Sequence, residues 1–381
     1  LKHWPGDGRD ERDQHMVTTI NDCTAREWDA SYGKIYKALI EDGAETVMAA
    51  HIMLPAYSRK MNPDIRDEEI LPGSLSCDLT TRLLREQLGF NGLVVTDATT
   101  MTGFMQTMAR RDALPLAVAA GCDMILFTLD LKEDYQYVLD AAADGTISRE
   151  RLDEAVARIL ALKAHLKLHK KMEEGTLFPG DEALKVFERE DNRNLARECA
   201  DRSVTLVKDT QNLLPISPKT QRRILLHVLG DKGGYHDPIC NQAEYLAGLL
   251  EREGFEVTVY DASRKDLLPI GNSIESMTKR FDLILYYCSV KTSGSDNVSR
   301  ISWTAPGGCN TPRYIYEIPT LFISMDNPYM LLDVPKVRTY INGYTPSRYV
   351  IDAIVEKIMG RSRFTGKNPV DPFCGLFHTR L

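Results

Sequence analysis

The sequence predicts an α/β protein of two domains, and three observations carry this prediction. The chain has 381 residues, more than the roughly 250–300 at which a single hydrophobic core stops growing. Short apolar runs typical of strands alternate with segments of helical periodicity in both halves of the chain. Between the halves, residues 169–195 are charged and interrupted by Gly175, Pro179 and Gly180, as in a linker. We therefore expect domains at 1–168 and 196–381.

The first domain is predicted to alternate strands with helices. Short, nearly continuous apolar runs typical of buried parallel strands occupy residues 46–52, 93–96 and 123–127. Three- and four-residue spacing of apolar side chains predicts helices at 28–42, 78–88, 109–120, 133–143 and 148–167.

Two of these helices have a predicted inward face. The first is expected to bury Trp28, Tyr32, Ile35, Tyr36 and Leu39. The last is expected to bury Leu152, Val156, Ile159, Leu160 and Leu162.

The second domain shows a similar alternation. Strands are predicted at 224–229, 256–260, 282–288, 320–325 and 337–341, and helices at 242–253 and 347–359. Strands separated by helices or long connections predict an open, mainly parallel sheet with helices on both faces.

Composition excludes several classes of protein. The net charge is -7 and there is no basic block. The chain therefore lacks the clustered positive charge of a nucleic-acid-binding protein. The most apolar stretch, residues 114–127, contains Pro115 and Asp123 and is shorter than the roughly 20 residues that span a bilayer, so we expect no membrane association.

The cysteines exclude further kinds of site. No two of the eight cysteines have CxxC spacing. This argues against zinc-ribbon, thioredoxin-like and disulfide-scaffold proteins. We expect reduced thiols, a cytoplasmic location, and neither a metal nor a cofactor. The chain opens LKHWP, without an initiator Met or the pattern of a signal peptide.

Three polar segments lie near strand ends, where α/β folds place their chemistry. The first reads KHWPGDG over residues 2–8 and continues to Asp13 and His15. An aspartate two residues before a histidine can hold the imidazole in one tautomer, as a general acid requires. The second ends VMAAH at His51, and the third ends LVVTD at Asp97. A carboxylate held directly after a buried strand is suited to act as a nucleophile.

In order and spacing, these segments resemble family 3 of the glycoside hydrolases, in particular its β-N-acetylglucosaminidase branch. The resemblance extends through GFNGLVVTD at residues 89–97 and AGCDM at 120–124. It continues in ADRSVTLVKD at 200–209 and FTGKNPVD at 364–371, and so covers essentially the whole chain.

The resemblance implies roles for individual residues. Asp97 matches the catalytic nucleophile, and His15 with Asp13 matches the acid/base dyad of the glucosaminidase branch. Lys2 and His3 match residues that hydrogen-bond sugar hydroxyls. Two departures stand beside these matches: Asp7 occurs where many relatives have histidine, and Ala98 where many have a second aspartate.

Two further positions match the lining of the family's sugar pocket, His51 and Met101. For His51, a buried histidine with satisfied hydrogen bonds is the alternative. The implied substrate is a β-linked amino-sugar glycoside.

The implied fold is the C-terminal half of a (β/α)8 TIM-type barrel followed by an α/β/α sandwich domain with an extended tail. The family's Lys-His motif lies near the middle of its barrel, whereas here it begins at residue 2. We therefore expect a preceding N-terminal barrel segment of the same protein as a partner of residues 1–168, which should not fold stably alone.

The implied activity is that of a retaining exo-β-N-acetylglucosaminidase, which hydrolyses terminal β-linked N-acetylglucosamine through a covalent glycosyl-enzyme intermediate. The alternatives are a β-N-acetylglucosaminide or β-glucoside phosphorylase, a β-glucosidase, and an inactive carbohydrate-binding relative. Phosphorolysis is an alternative because a histidine that has given up its proton is neutral and does not repel phosphate, whereas a glutamate would.

Overall fold

Parallel strands flanked by helices occur in both halves of the chain in a computed structural model, which confirms the predicted α/β class. The structure describes residues 1–231, 241–269, 271–292, 299–305 and 307–381. They divide into two compact units, Leu1–Pro179 and the part of the chain that follows from Gly180. This division falls within the segment 169–195, which itself contains helical pieces.

The first unit holds short strands. They are β1 (Thr19–Ile20), β2 (Thr46–Ala49), β3 (Ile52–Met53), β4 (Leu93–Ala98) and β5 (Met124–Leu126). Its α-helices are α1 (Ala25–Trp28), α2 (Lys34–Glu41), α3 (Pro55–Met61), α4 (Thr102–Met105), α5 (Arg110–Ala119), α6 (Leu131–Asp144), α7 (Arg149–His165) and α8 (Leu168–Glu173). Asp29–Gly33 and Asp78–Gln87 are π-helical, and Asp67–Glu69 is a 3-10 turn.

The strands of the first unit run parallel in the order β2-β4-β5, with Val47 opposite Val94 and Val95 opposite Met124. The start of the chain runs parallel beside β2 and forms a bridge between Trp4 and Ala49. The strands β1 and β3 form a separate parallel pair. Consecutive parallel strands bring their carboxyl ends to one edge of the sheet.

The predicted helix over 28–42 is divided by a π-helical turn, and its buried face differs from the prediction. Trp28 and Tyr36 are buried, but Ile35 and Leu39 are exposed. A π turn takes more residues than an α turn, so it rotates the residues beyond it and breaks the regular spacing. Gly33 then lies against Trp28, where a Cβ atom would approach the ring to 2.6 Å.

The long helix α7 also departs from its predicted face. Ser148 caps it by accepting from the Arg151 backbone N–H at 3.1 Å, but Val156 and Leu160 are exposed. Among the described residues, no element covers this side of α7, so helical periodicity alone overestimates its burial.

The second unit is built on one sheet. Its strands are β6 (Thr205–Asp209), β7 (Arg223–Gly230), β8 (Glu256–Val259), β9 (Leu283–Ser289), β10 (Thr320–Ser324) and β11 (Thr339–Asn342). Its α-helices are α9 (Glu190–Ser203), α10 (Gln242–Arg252), α11 (Ile274–Arg280) and α12 (Arg348–Ile358). The 3-10 segments are Asp181–Glu188, Met330–Leu332 and Phe377–Arg380.

The strand order in the second unit is β6-β11-β10-β9-β7-β8. All neighbours are parallel except β6, an antiparallel edge strand that the sequence did not predict. Alternate residues of each strand enter two different cores. Ile224 and Leu226 of β7 pack with α10 and α12, whereas Leu225 and Leu229 pack with Met277 of α11.

In the described part of the chain, no helix is both long and apolar enough to cross a membrane. The cysteines placed by the structure are free thiols, and Cys240 lies outside the described residues.

Candidate active site

The polar segments predicted from the sequence converge at the carboxyl ends of neighbouring strands. Trp4 donates its N–H to Met48 O at 2.9 Å, and Ala50 donates to Trp4 O at 2.9 Å. On its other side, β2 pairs with β4, and Ala49 lies opposite Thr96. His3, His51 and Asp97 therefore belong to three adjacent strand ends at one edge of the sheet.

Asp97 is the next-to-last residue of β4 and is buried. Its Oδ1 accepts the N–H of Ala98 at 2.8 Å, which sets the orientation of the carboxylate. Its Oδ2 lies 3.9 Å from Nε2 of His3, too far for a hydrogen bond. One carboxylate oxygen is thus bound to the backbone, and the other faces the His3 ring.

Asp13 and His15, predicted to act as a dyad, are in direct contact. Asp13 Oδ1 lies 2.6 Å from His15 Nδ1 and also accepts the His15 backbone N–H at 2.7 Å. The His15 side chain is 55% exposed. Because Nδ1 binds the carboxylate, Nε2 is the ring atom available for proton transfer.

The loop that carries the dyad is tied to the chain just beyond Asp97. Thr102 donates its N–H to His15 O at 3.0 Å. A Cβ atom at Gly103 would lie 2.4 Å from Gln14 O, so only glycine allows the loop to pack this closely on α4.

His51 has the contacts of a buried histidine with satisfied hydrogen bonds, which was the alternative to a role in lining the sugar pocket. Its Nδ1 is 3.0 Å from Ser74 Oγ, and its Nε2 is 3.1 Å from Ala98 O. The ring is fully buried, and burial lowers the pKa of His51. Neither ring nitrogen is free for a sugar hydroxyl. His51 instead holds the carbonyl of the residue that follows Asp97.

The other predicted binding residues differ in their surroundings. Lys2 is exposed and His3 is half-buried. The Nδ1 atom of His3 lies 3.2 Å from Oδ2 of Asp7, and this contact lowers the pKa of Asp7. Met101 is buried, and its N–H binds Ala98 O at 3.0 Å.

Sequence reasoning did not assign roles to three residues that support the site. Asp7 binds His3, Ser74 binds His51, and Gln14 Oε1 accepts the His51 backbone N–H at 3.1 Å. Only Asp7 carried a signal, as a departure from the family pattern. Ser74 and Gln14 are 23 and 37 residues from His51 along the chain, a separation at which spacing gives no signal.

The arrangement is suited to covalent acid–base catalysis. It combines a buried, oriented carboxylate with an exposed histidine whose tautomer is set by a second carboxylate. Among the described residues, no group of three or more His, Cys, Asp or Glu side chains is placed to hold a metal ion.

Comparison with known proteins identifies relatives of the chain. The family model described as "Glycosyl hydrolase family 3 N terminal domain" matches residues 1–162. A "Beta-N-acetylglucosaminidase/beta-glucosidase" from Cellulomonas fimi is 44% identical over 100% of this chain and 67% of its own length. "Beta-hexosaminidase A" from Pseudoalteromonas piscicida is 31% identical over 44% of this chain and 30% of its own length.

A solved structure is also similar to this chain along its whole length. The structure titled "Beta-glucoside phosphorylase BglX" is 44% identical to this chain and superposes on it with a TM-score of 0.91. The match covers 100% of this chain and 67% of the solved chain. Whole-chain similarity at this identity, with the family match over the site-bearing residues, shows that this chain belongs to glycosyl hydrolase family 3, whose members act on glycosidic bonds.

Proposed function

We propose that this chain carries the catalytic groups of a retaining exo-β-N-acetylglucosaminidase. The main support is the Asp13–His15 contact, with its 2.6 Å distance, on a loop bound at Thr102 to the chain beyond Asp97. The name of the Cellulomonas fimi relative, 44% identical along the whole chain, supports the same class of substrate.

In the proposed first step, Asp97 attacks the anomeric carbon of a terminal β-linked sugar. Since Oδ1 accepts the Ala98 N–H, Oδ2 is the attacking oxygen. The bond between the anomeric carbon and the leaving oxygen breaks, and Nε2 of His15 gives its proton to that oxygen. The product is a glycosyl ester of Asp97 with inverted configuration.

In the second step, neutral His15 accepts a proton from water. The water oxygen bonds to the anomeric carbon, and Asp97 departs as a carboxylate. Two inversions give net retention of configuration. Asp13 stabilises the imidazolium form of His15 and keeps Nε2 directed to the reaction.

For the fold, we propose that the parallel strands of the first unit are part of a (β/α)8 barrel and that the second unit is an α/β/α sandwich. The carboxyl-end position of Asp97 supports the barrel, because barrel enzymes place their catalytic residues at that face. The two cores on opposite faces of the second sheet support the sandwich.

Trapping with a 2-deoxy-2-fluoro-β-glycoside that carries a dinitrophenyl leaving group tests the nucleophile. Such a substrate forms the ester but turns over slowly. We expect one covalent adduct on the peptide that contains Asp97, detected by mass spectrometry, and none in Asp97→Asn. An adduct on another residue would contradict the assignment of Asp97 as the nucleophile. An enzyme that stays unmodified would favour an inactive relative.

A second candidate is a phosphorylase, and the 44% identity with a β-glucoside phosphorylase favours it. In this reaction a phosphate oxygen, instead of water, bonds to the anomeric carbon of the Asp97 ester. His15, neutral after the first step, does not repel the phosphate dianion. Turnover with and without saturating phosphate separates the two: sugar 1-phosphate identifies a phosphorylase, and free sugar under both conditions identifies a hydrolase.

A further inference from the structure

Asp7 lies in the loop between His3 and the dyad, and the proposed mechanism does not use it. We propose that Asp7 is a positioning residue: its carboxylate keeps a proton on Nδ1 of His3 and so presents Nε2 to the substrate beside Asp97. This inference rests on the proposed role of Asp97 as the residue that reacts with the sugar.

The Asp7 carboxylate is held on both sides. Its Oδ2 is 3.2 Å from His3 Nδ1, and its Oδ1 accepts the N–H of Gly8 at 2.8 Å. Its backbone oxygen accepts the hydroxyl of Tyr32 at 2.9 Å. The carboxylate therefore meets His3 in one orientation.

The loop between His3 and Asp7 is anchored to α1 and to the residues just before it. His3 O accepts the N–H of Gly6 at 2.8 Å, which closes a tight turn. Trp28 Nε1 donates to Pro5 O at 2.7 Å, and Asn21 Nδ2 donates to Gly6 O at 3.1 Å. A Cβ atom at Gly6 would lie 2.4 Å from the Tyr32 ring, so this close packing requires glycine.

The proton on His3 follows from this geometry. A carboxylate only accepts hydrogen bonds, so an Asp7 oxygen 3.2 Å away favours a proton on the facing Nδ1. In the neutral ring, Nε2 is then the acceptor, and it can take a hydrogen bond from a sugar hydroxyl. Nε2 lies 3.9 Å from Asp97 Oδ2, so the two groups are neighbours but are not hydrogen-bonded to each other. The opposite tautomer would turn an N–H toward the substrate and change which sugar group is accepted.

Several ionisable groups surround this pair. His3 faces Asp7 and Asp97. His15 lies within electrostatic range of Asp7, and His51 lies within electrostatic range of Asp97, His15 and His3. Burial raises the pKa of Tyr32 and Tyr36, so both phenols are neutral at physiological pH. Asp7 is the carboxylate in direct contact with Nδ1.

A plain loop contact is the competing explanation, because the His3 and Asp7 side chains are 26% and 49% exposed. A loop contact predicts a change in stability only. A positioning role predicts a change in the tautomer of His3 and in the rate of ester formation, and these two measurements separate the explanations.

The test compares Asp7→Asn with wild type in the enzyme at its full natural length. Asparagine keeps the size of the side chain, but its amide can also donate, so it no longer requires a proton on Nδ1. The matched control is Asp22→Asn, which makes the same change at an exposed carboxylate 2.7 Å from Arg9. Nitrogen-15 NMR of labelled histidine reads the tautomer at a pH where the ring is neutral, with His3→Gln used to assign the signal.

In wild type and Asp22→Asn we expect the His3 proton on Nδ1. In Asp7→Asn we expect the Nε2–H tautomer to appear and trapping by the 2-fluoro glycoside to slow about 10- to 100-fold, the range known for loss of a carboxylate that orients a metal-bound histidine. A wild-type proton on Nε2 overturns the inference even if Asp7→Asn fails to fold. An unchanged tautomer, or a trapping rate within about twofold of wild type, also overturns it.

The same data keep the two proposals apart. If wild type is not trapped at Asp97, the proposed function fails, and the His3 tautomer is still read directly. If wild type is trapped but Asp7→Asn behaves as Asp22→Asn does, the function stands and the positioning role is wrong.

Discussion

At the scale of single residues, Asp123 shows how a buried charge supports the site. Its carboxylate lies 2.7 Å from Arg85, 3.5 Å from Arg158, and in contact with Arg151. It also accepts the N–H of Val94, in the strand that leads to Asp97, at 2.9 Å. Asp123 is fully buried as a side chain, and its charge offsets three neighbouring cations.

Replacing Asp123 should therefore destabilise the first unit. Asp123→Asn removes the ion-pair partner of buried Arg85, whereas Arg151 and Arg158 keep Glu154. Leaving one partner of a buried ion pair without its counter-charge costs about 3–5 kcal/mol. We expect urea denaturation to show that loss. Asp153→Asn removes the exposed partner of Arg149 and should cost less than about 1 kcal/mol. Equal losses in the free energy of unfolding for the two variants would show that the buried cluster stabilises the unit no more than an exposed ion pair does.

At the same scale, the sequence anticipated the catalytic candidates better than their supports. Asp97 is a candidate because it directly follows an apolar run, and Asp13 with His15 because two-residue spacing can bring their side chains together in a loop. Their catalytic roles come from the family resemblance and stay predictions. The partners of His51 were not predictable, because Ser74 and Ala98 reach it from other segments of the chain.

At the scale of elements, an aromatic ladder crosses the sheet of the second unit. Ring centroids of cross-strand neighbours are 4.3 to 5.6 Å apart along Tyr260, His227, Tyr286, Phe322 and Tyr340. Strand register produces the ladder, since His227 pairs with Tyr286 and Phe322 with Tyr340. The His227 ring is buried in this stack, and its Nδ1 has no hydrogen-bond partner among the described residues.

This burial predicts a dependence of stability on pH. It lowers the pKa of His227 to about 3, whereas an unfolded histidine titrates near 6.5. Below pH 6.5 the unfolded chain binds a proton that the folded chain does not, so stability falls as the pH falls from 6.5 toward 3. Between pH 6.5 and 5, His227 should account for a loss of about 1–2 kcal/mol.

The substitution His227→Phe keeps the aromatic stack and removes the titrating group. Hydrogen exchange of the β7 and β9 amides at each pH, corrected for the intrinsic rate, should give a flatter stability curve than wild type. His169→Phe makes the same change at an exposed histidine and should follow the wild-type slope. Parallel curves for wild type and His227→Phe would contradict the prediction.

At the scale of the whole molecule, the two units differ in how completely their sheets are covered. In the second unit both faces of the sheet carry a core. Within the described residues, both sheets have an edge strand with one partner, β8 in the second unit and β5 in the first. The chain beyond β5 exposes Phe127, Leu131 and Tyr135 at 65%, 71% and 66%. Exposed apolar surface beside a strand edge promotes aggregation.

We therefore expect the units to behave differently when produced separately. Residues 180–381 should be monomeric, unfold cooperatively and bind little of the hydrophobic dye ANS. Residues 1–179 should bind ANS strongly and elute as aggregates in size-exclusion chromatography. A monomeric, cooperatively unfolding fragment of residues 1–179 would show that its own core is sufficient.

The sequence by itself determined the α/β class, the positions of most strands and helices, the family, and the catalytic candidates. These depend on local periodicity, on where apolar runs end, and on motif spacing. Tertiary structure alone decided the inner face of helix 28–42, the burial of His51 and the contact of Asp7 with His3. The π turn at Asp29–Gly33 sets the helix face, the Ser74 hydroxyl binds the buried His51, and the folded loop brings Asp7 to His3. The sequence could not show these features, because each depends on which atoms meet after the chain has packed.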